Sequence, residues 1–226
     1  MRPTQEDYDR YLWLVQRVRK LKWDEELMSV NRPFEVADPT MTFILLRASR
    51  DLLYMAEALD VDNIEISEWC STLREGIETL RNPEGGFFNA INCRTDEHSG
   101  NITSASFLNW YAGIDDDETL KIFTKTLEET RYPIPSLSIN SEKFDGMRYW
   151  RGPTWAILNS LVGVGLSEMG HIAEATLLRK RTQSLILEKG FAEYFHPLNG
   201  TPGGGDSFTW TAAVWLAWAS PSNGEY

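Results

Sequence analysis

The chain has 226 residues, 42% of them hydrophobic and 24% charged, which is enough apolar material for the core of one large domain. Its formal net charge is −11, and it contains no run of Lys or Arg, so neither nucleic acid nor an anionic membrane is an expected partner. No apolar run approaches the roughly 18 residues of a membrane span, and no charged-then-apolar leader opens the sequence, so we expect a cytoplasmic location.

Apolar residues recur at steps of three and four along most of the chain, which predicts amphipathic helices rather than strands. Five long segments show this spacing, and in chain order they are 6–22, 39–60, 64–81, 117–130 and 154–169. Three shorter helices are predicted at 101–112, 171–189 and 207–220. The sequence therefore predicts about eight helices.

The helix ends carry matching signals. Acidic residues at 115–118 favour a helix start, Pro153 suits a first turn, and Gly170 and Gly190 are typical of positions just after a helix. Short β ribbons are expected around 86–91 and 131–139. Because no linker or low-complexity segment divides the chain, we expect one all-α domain over residues 1–226, built as successive helical hairpins of a solenoid or a closed toroid.

No metal or cofactor site is indicated. Cys70 and Cys93 lack the spacing of metal ligands and form no disulfide framework, and Cys70 falls on an apolar helical face where a buried thiol is expected. The glycine-rich segment PGGGD at 202–206 lacks the GK[ST] of a phosphate loop and does not follow a strand. Three histidines are scattered along the chain, at positions 98, 171 and 196.

Two segments combine aromatic residues with groups that can carry chemistry. Residues 190–215 read GFAEYFHPLNGTPGGGDSFTWTAAVW and set Glu193 among aromatic neighbours, while residues 149–155 read YWRGPTW. Aromatic faces suit the C–H faces of a sugar ring, and a fixed carboxylate suits the activation of water at an anomeric carbon. Each tryptophan alone is equally explained by core packing, and Arg151 by a loop ion pair, but together the two segments indicate glycoside hydrolysis.

Four blocks resemble glycoside hydrolase family 63, in particular its mannosylglycerate and glucosylglycerate hydrolases, with trehalases more distant. They are YWRGPTWAILNSLVGVGL at 149–166, GFAEYFHPLNG with FTWTAAVWL at 190–216, PFEVADPTMTFILLRASRDLLYMAEAL at 33–59, and ITSASFLNWYAGI at 102–114. The resemblance covers nearly the whole chain in the same order.

The resemblance implies an (α/α)6 toroid of twelve helices, of which this chain would form an incomplete ring. It also implies inverting hydrolysis of a small α-glycoside without a cofactor, with Glu193 in the position of the general base. By the same resemblance, the residues expected to contact the saccharide are Tyr149, Trp150, Arg151, Trp155, Tyr194 and Trp210.

The chain departs from the family at the general acid. Relatives carry this aspartate in a segment resembling GWDNSPR, upstream of the PFEVADP block, and the residues before that block contain no such motif. Asp38 in that block is not the acid in relatives, and loop or capping roles are the expectation for Asp24, Asp145 and Asp206. The lone chain is therefore expected to hydrolyse glycosides poorly.

Several interpretations remain open. The chain is an inactive fragment, one half of a two-chain enzyme, or a non-catalytic carbohydrate-binding or assembly module. A different class is an α-helical interaction protein without a sugar site. If part of the ring is absent, apolar stripes at its edges, such as Tyr11, Leu14 and Val18, would face water, which favours a homo-oligomer or a second chain completing the toroid.

Overall fold

The computed structural model describes residues 3–223, and helices carry most of the architecture, as the apolar spacing predicts. The α-helices in this part of the chain are α1 Gln5–Lys20, α2 Glu25–Asn31, α3 Pro39–Ala58, α4 Ile64–Glu78, α5 Asp117–Glu129, α6 Ala156–Glu168, α7 Ile172–Lys189 and α8 Thr209–Val214. The last continues as a π-helical turn, Trp215–Ala219, and 3₁₀ turns occupy Ser104–Phe107 and Pro221–Asn223. None of these helices is both long and apolar enough to cross a bilayer.

Side chains placed just before the helices explain where several of them begin. Thr4 and Asp7 form a reciprocal capping box at α1, and Asp24, Asp38 and Asp116 accept hydrogen bonds from the first-turn amides of α2, α3 and α5. Such caps satisfy amide groups that lack a partner within the helix. The structural role expected for Asp24, in a loop or a cap, is confirmed as a cap, and Asp38 is found to cap α3.

Two helical hairpins, α3 with α4 and α6 with α7, provide the main packing of the fold. Their apolar faces join one large core, to which Cys70 contributes as a buried free thiol. Phe107, Trp110 and Phe123 lie within it with no exposed surface and meet one another at ring-centroid distances of 5.3–6.3 Å. Each such aromatic pair contributes about 0.5–1.5 kcal/mol beyond the burial of its area.

Three small antiparallel sheets connect the helices. The first has the order β1-β4-β5, from Val36–Ala37, Ile91–Asn92 and Glu97–His98, and the second pairs β2 Arg81–Asn82 with β3 Phe87–Phe88. The third pairs β6 Tyr194–Phe195 with β7 Pro202–Gly203, so that Tyr194 lies opposite Gly203. The ribbon expected around 86–91 is thus present.

Two local predictions are wrong. The segment 101–112 forms a 3₁₀ turn and further turns instead of a helix, and 131–139 holds only isolated bridges, Thr103 with Leu137 and Pro135 with Thr154. In the first case small polar side chains bind the backbone and compete with a helix. The Ser106 hydroxyl accepts from the Thr103 backbone amide, and the Asn109 side-chain Nδ2 donates to the Ile114 carbonyl. Helix α2 was not predicted, because its seven residues carry too short a pattern.

Candidate active site

The loop that precedes α6 presents the first predicted motif. Its backbone closes on itself, because the Asp145 amide donates to the Arg151 carbonyl at 2.8 Å and the Arg148 amide to the Asp145 carbonyl at 3.0 Å. A side chain at Gly152 would lie 2.4 Å from that Asp145 carbonyl oxygen, so only glycine allows the close turn. The turn places Tyr149 at a φ of +39°, in the left-handed region that non-glycine residues rarely adopt.

Four aromatic side chains from the two motifs, Tyr149, Trp150, Trp155 and Tyr194, form one group that we call the aromatic cluster. Trp150 stacks on Trp155 at 4.2 Å, and the Tyr149 ring meets Trp155 and Tyr194 edge-on at 5.0 and 5.7 Å. Trp155 and Tyr194 are buried, whereas Tyr149 and Trp150 are 43% and 48% exposed. The cluster therefore has a buried base and an accessible outer edge.

A short backbone ladder brings the two motifs together. The Thr154 amide donates to the Phe195 carbonyl at 2.7 Å, and the Phe195 amide donates back to the Thr154 carbonyl at 3.0 Å. The buried Thr154 hydroxyl donates to the Tyr132 carbonyl, and the Thr211 hydroxyl to the Ala192 carbonyl. Glu193 lies between these anchored residues.

The carboxylate of Glu193 lies against the cluster. It is half-buried, and its Oε1 accepts a hydrogen bond of 2.8 Å from the Tyr149 hydroxyl. The Glu193 amide donates to the Gly205 carbonyl at 2.9 Å, which fixes the backbone beneath the side chain. One carboxylate oxygen is thus held by a neutral donor, and further acceptor positions remain for water or a ligand.

The charge of this carboxylate affects both neighbouring tyrosines. The hydrogen bond to Glu193, with burial second, raises the pKa of Tyr149 above its usual value. Burial, and then the Glu193 charge, raises the pKa of Tyr194. Both hydroxyls consequently stay protonated near neutral pH, so Tyr149 acts as a hydrogen-bond donor to an anion.

Two other predicted residues, Arg151 and Trp210, belong to the motifs but are not part of the aromatic cluster. The exposed Arg151 side chain donates to the Lys143 carbonyl at 3.2 Å. Trp210 is 51% exposed, and its aromatic partner is Phe208 at 5.9 Å. Among residues 3–223, no group of three metal-binding side chains is present.

Sequence reasoning missed the residues that hold the site in place. Thr154 and Thr211 were not singled out, although each lies inside a motif, because a threonine among aromatic residues gives no signal until its backbone partner is known.

The predicted loop aspartates have other surroundings. The Asp145 carboxylate accepts a hydrogen bond from the Met147 amide of its own loop at 3.1 Å. Asp206 is exposed in the glycine-rich loop.

Comparison with known protein families gives a match over most of the chain. Residues 1–211 match the family described as the mannosylglycerate hydrolase MGH1-like glycoside hydrolase domain. The chain is 36% identical to mannosylglycerate hydrolase MGH1 of Selaginella moellendorffii and 37% identical to a mannosylglycerate hydrolase of Thermus thermophilus, in each case over 96% of this chain. It covers 46% and 53% of those proteins, so it spans about half the length of the curated relatives it matches.

A solved structure agrees in fold. The crystal structure of a glycoside hydrolase family 63 mannosylglycerate hydrolase from Thermus thermophilus, in complex with Tris and D-glycerate, matches with a TM-score of 0.88. The sequence identity is 36%, and the match covers 95% of this chain and 54% of the other. The predicted all-α fold of the (α/α) toroid type is confirmed.

Proposed function

Because the chain belongs to the mannosylglycerate hydrolase MGH1-like family of glycoside hydrolases, we propose that it forms the general-base side of a site that hydrolyses a small α-glycoside with inversion. The supporting observation is the Glu193 carboxylate, held by the Tyr149 hydroxyl at the accessible edge of the aromatic cluster. Residues 1–226 act as part of one toroid domain, in the cytoplasm and without a cofactor.

In the proposed step, Glu193 takes a proton from a water molecule as its oxygen attacks the anomeric carbon. The glycosidic bond breaks on the opposite face, where a second carboxylic acid protonates the leaving oxygen. In inverting enzymes the two carboxyl groups stand about 6.5–9.5 Å apart to leave room for the water. Tyr149 keeps its own proton and orients the base.

We assign the general acid to a segment outside these 226 residues. Asp24 and Asp38 cap helices and Asp145 accepts from the Met147 amide within its own loop, so each has a local structural role, and no segment like GWDNSPR lies among these residues. A general acid contributes about 10²–10⁴-fold to the rate, and substrates with poor leaving groups need it most. The chain alone is therefore a weak hydrolase for natural glycosides.

The substrate class that we propose is a hexose linked to glycerate. The support is the relatives' naming as mannosylglycerate hydrolases and the bound D-glycerate in the Thermus thermophilus structure. The aromatic cluster and Trp210 would contact the sugar ring, whose C–H faces suit aromatic surfaces. Arg151, with its planar guanidinium, is the proposed partner of a substrate hydroxyl or carboxylate.

Two tests separate catalysis from simple binding. The chain should release fluoride from α-mannosyl or α-glucosyl fluoride, which needs little protonation of its leaving group, and Glu193→Gln should abolish this release. Glu142→Gln, which alters an exposed carboxylate in a neighbouring loop, is the matched control and should retain it. Fluoride release that is unaffected by Glu193→Gln would contradict the proposal.

A second candidate function is carbohydrate binding without turnover. The half-exposed Trp150 stacked on a buried Trp155 supports it, since this arrangement presents an aromatic face whether or not an acid is present. Saccharide binding measured by calorimetry, lost in Trp150→Ala and accompanied by no hydrolysis of either fluoride, would favour this function.

Assembly is the last part of the proposal. The helices α1–α4 expose many large apolar side chains, and we expect a second copy of the chain to cover them. A separate chain that completes the toroid is the alternative outcome of the association test described in the Discussion.

A further inference from the structure

The glycine-rich segment at 202–206 has a place in the site that no sequence motif explains. Its first part, β7, pairs with β6 directly after Glu193, with Tyr194 opposite Gly203 and Phe195 opposite Pro202. The chain then turns at Gly204, whose φ is +74°. This turn brings the backbone of the segment over the Glu193 side chain.

Two of its three glycines leave no space for a side chain. A Cβ at Gly204 would lie 2.2 Å from Oε2 and 2.5 Å from Cβ of Glu193, and a Cβ at Gly203 would lie 2.3 Å from the Tyr194 ring. A Cβ at Gly205 would meet no atom within 4 Å. The close approach is therefore specific to the two glycines that face site residues.

We propose that Gly204 is a positioning residue for Glu193. Its backbone approaches Oε2 so closely that a Cβ would lie 2.2 Å from it, while the Tyr149 hydroxyl donates to Oε1, so each carboxylate oxygen is restricted by a different contact. Confinement matters because a displacement of about 1 Å in a catalytic group costs on the order of 10²-fold in rate. This inference rests on the proposed role of Glu193 as the base and deepens it.

The close approach of Gly204 should affect the position of the Glu193 carboxylate and leave the packing of the core unchanged. Gly204 is exposed, and its methyl group would meet both Oε2, at the end of the flexible Glu193 side chain, and the Glu193 Cβ, so the carboxylate must move and the loop backbone must shift with it. In Gly204→Ala the carboxylate should swing aside, and the hydrogen bond from Tyr149 should be lost or lengthened. The fold should survive, at the cost of the strain that any alanine incurs at positive φ.

The test compares Gly204→Ala with Gly170→Ala. Gly170 has a φ of +89° and open space at its Cβ, so its variant imposes similar backbone strain without touching Glu193. The first readout is the pKa of Tyr149, which is measured by NMR of ring-labelled tyrosine in the whole chain. It should fall toward the usual tyrosine value in Gly204→Ala and stay raised in Gly170→Ala, because only the former breaks the bond to Glu193.

The second readout is fluoride release from the glycosyl fluorides, which should fall about tenfold or more in Gly204→Ala and stay unchanged in Gly170→Ala. A folded Gly204→Ala protein in which the pKa of Tyr149 is unchanged would overturn the inference. If the unaltered chain releases no fluoride, the proposed function fails, while the tyrosine titration still decides whether Gly204 positions the carboxylate. Gly205→Ala, with space for its methyl group, should keep the Tyr149 pKa raised.

Discussion

At the scale of single residues, Tyr149 connects the parts of the candidate site. Its carbonyl accepts from the Trp155 indole at 3.1 Å, its ring meets three aromatic neighbours, and its hydroxyl binds Glu193. These contacts maintain its left-handed backbone, since such a conformation persists only where the surroundings over-determine it. The residue thus links loop geometry directly to the orientation of the carboxylate.

The Tyr149–Glu193 pair should be visible in an alkaline titration. Glu193→Gln removes the charged acceptor, so the pKa of Tyr149 should fall, as followed by tyrosinate absorbance or NMR. Because the folded pKa is raised, the stabilisation by this pair is fully present below about pH 10 and is lost as the pH rises through the folded value. Glu142→Gln should leave the titration unchanged, and an unchanged Tyr149 pKa in Glu193→Gln would show that the hydrogen bond does not persist in solution.

At the scale of elements, the positions of the helix starts depend on individual carboxylates. Asp38 begins α3, which contributes Phe43 and Leu46 to the core, so a weaker start affects the α3–α4 hairpin. Its side chain accepts from the Met41 amide at 3.2 Å. The aspartate of the PFEVADP block therefore has a structural explanation.

Asp38→Ala should lower the free energy of unfolding by about 1 kcal/mol, the usual cost of losing an N-cap. Urea unfolding at neutral pH measures this change. Asp38→Asn retains an oxygen acceptor and should lose only a small part of the stability. Equal losses of unfolding free energy in the two variants would mean that the charge of Asp38, rather than its capping hydrogen bond, stabilises the protein.

A second link between elements involves Asp115, just before α5, and His171, just before α7. Their side chains are 2.7 Å apart, and the Trp110 indole also donates to Asp115. The hydrogen bond with His171 is the main cause that holds the pKa of Asp115 below its usual value. The bond therefore ties the turn segment after Phe107 to the start of α7.

This link predicts a pH dependence of stability. With its folded pKa depressed, Asp115 stabilises the protein above about pH 4, and this contribution is lost as the pH falls through the folded value. Asp115→Asn should therefore flatten the fall in urea midpoint between about pH 5 and pH 2 relative to the unaltered chain. A steeper fall in the variant would contradict the assignment. Glu128→Gln, at an exposed position of α5, is a suitable control.

At the scale of the whole molecule, the helices divide into a well-packed part and an exposed part. Helices α6 and α7 bury many residues, whereas α1 and α2 bury none. Large apolar side chains on α1–α4 remain more than 40% exposed, among them Tyr11, Trp13, Leu27, Val30, Met41, Leu45, Leu52, Met55 and Trp69. Leu14 and Val18, predicted to face water with Tyr11, are half-buried.

A face of this kind predicts association. Light scattering across a concentration series should detect species larger than 25.9 kDa, and replacing Leu45 and Met55 together by lysine should shift them toward the monomer. Arg19→Lys, on a polar position of α1, should leave the distribution unchanged. A monodisperse monomer at high concentration would count against self-association, and binding of a chain that completes the ring would identify the alternative occupant.

The sequence by itself determined the helical class, most helix positions and the two motifs, because amphipathic spacing, caps and aromatic clusters are local properties of the chain. It could not predict the turns within 101–112, where the Ser106 and Asn109 side chains bind the backbone in place of helical hydrogen bonds, since those partners come together only in the folded core. Only the tertiary structure decided the site geometry. Tyr149 and Glu193 are 44 residues apart and meet because the Thr154–Phe195 ladder aligns their segments, and Gly204 faces the carboxylate because its backbone turns at positive φ. Contacts between distant segments depend on backbone pairing, which residue spacing alone does not specify.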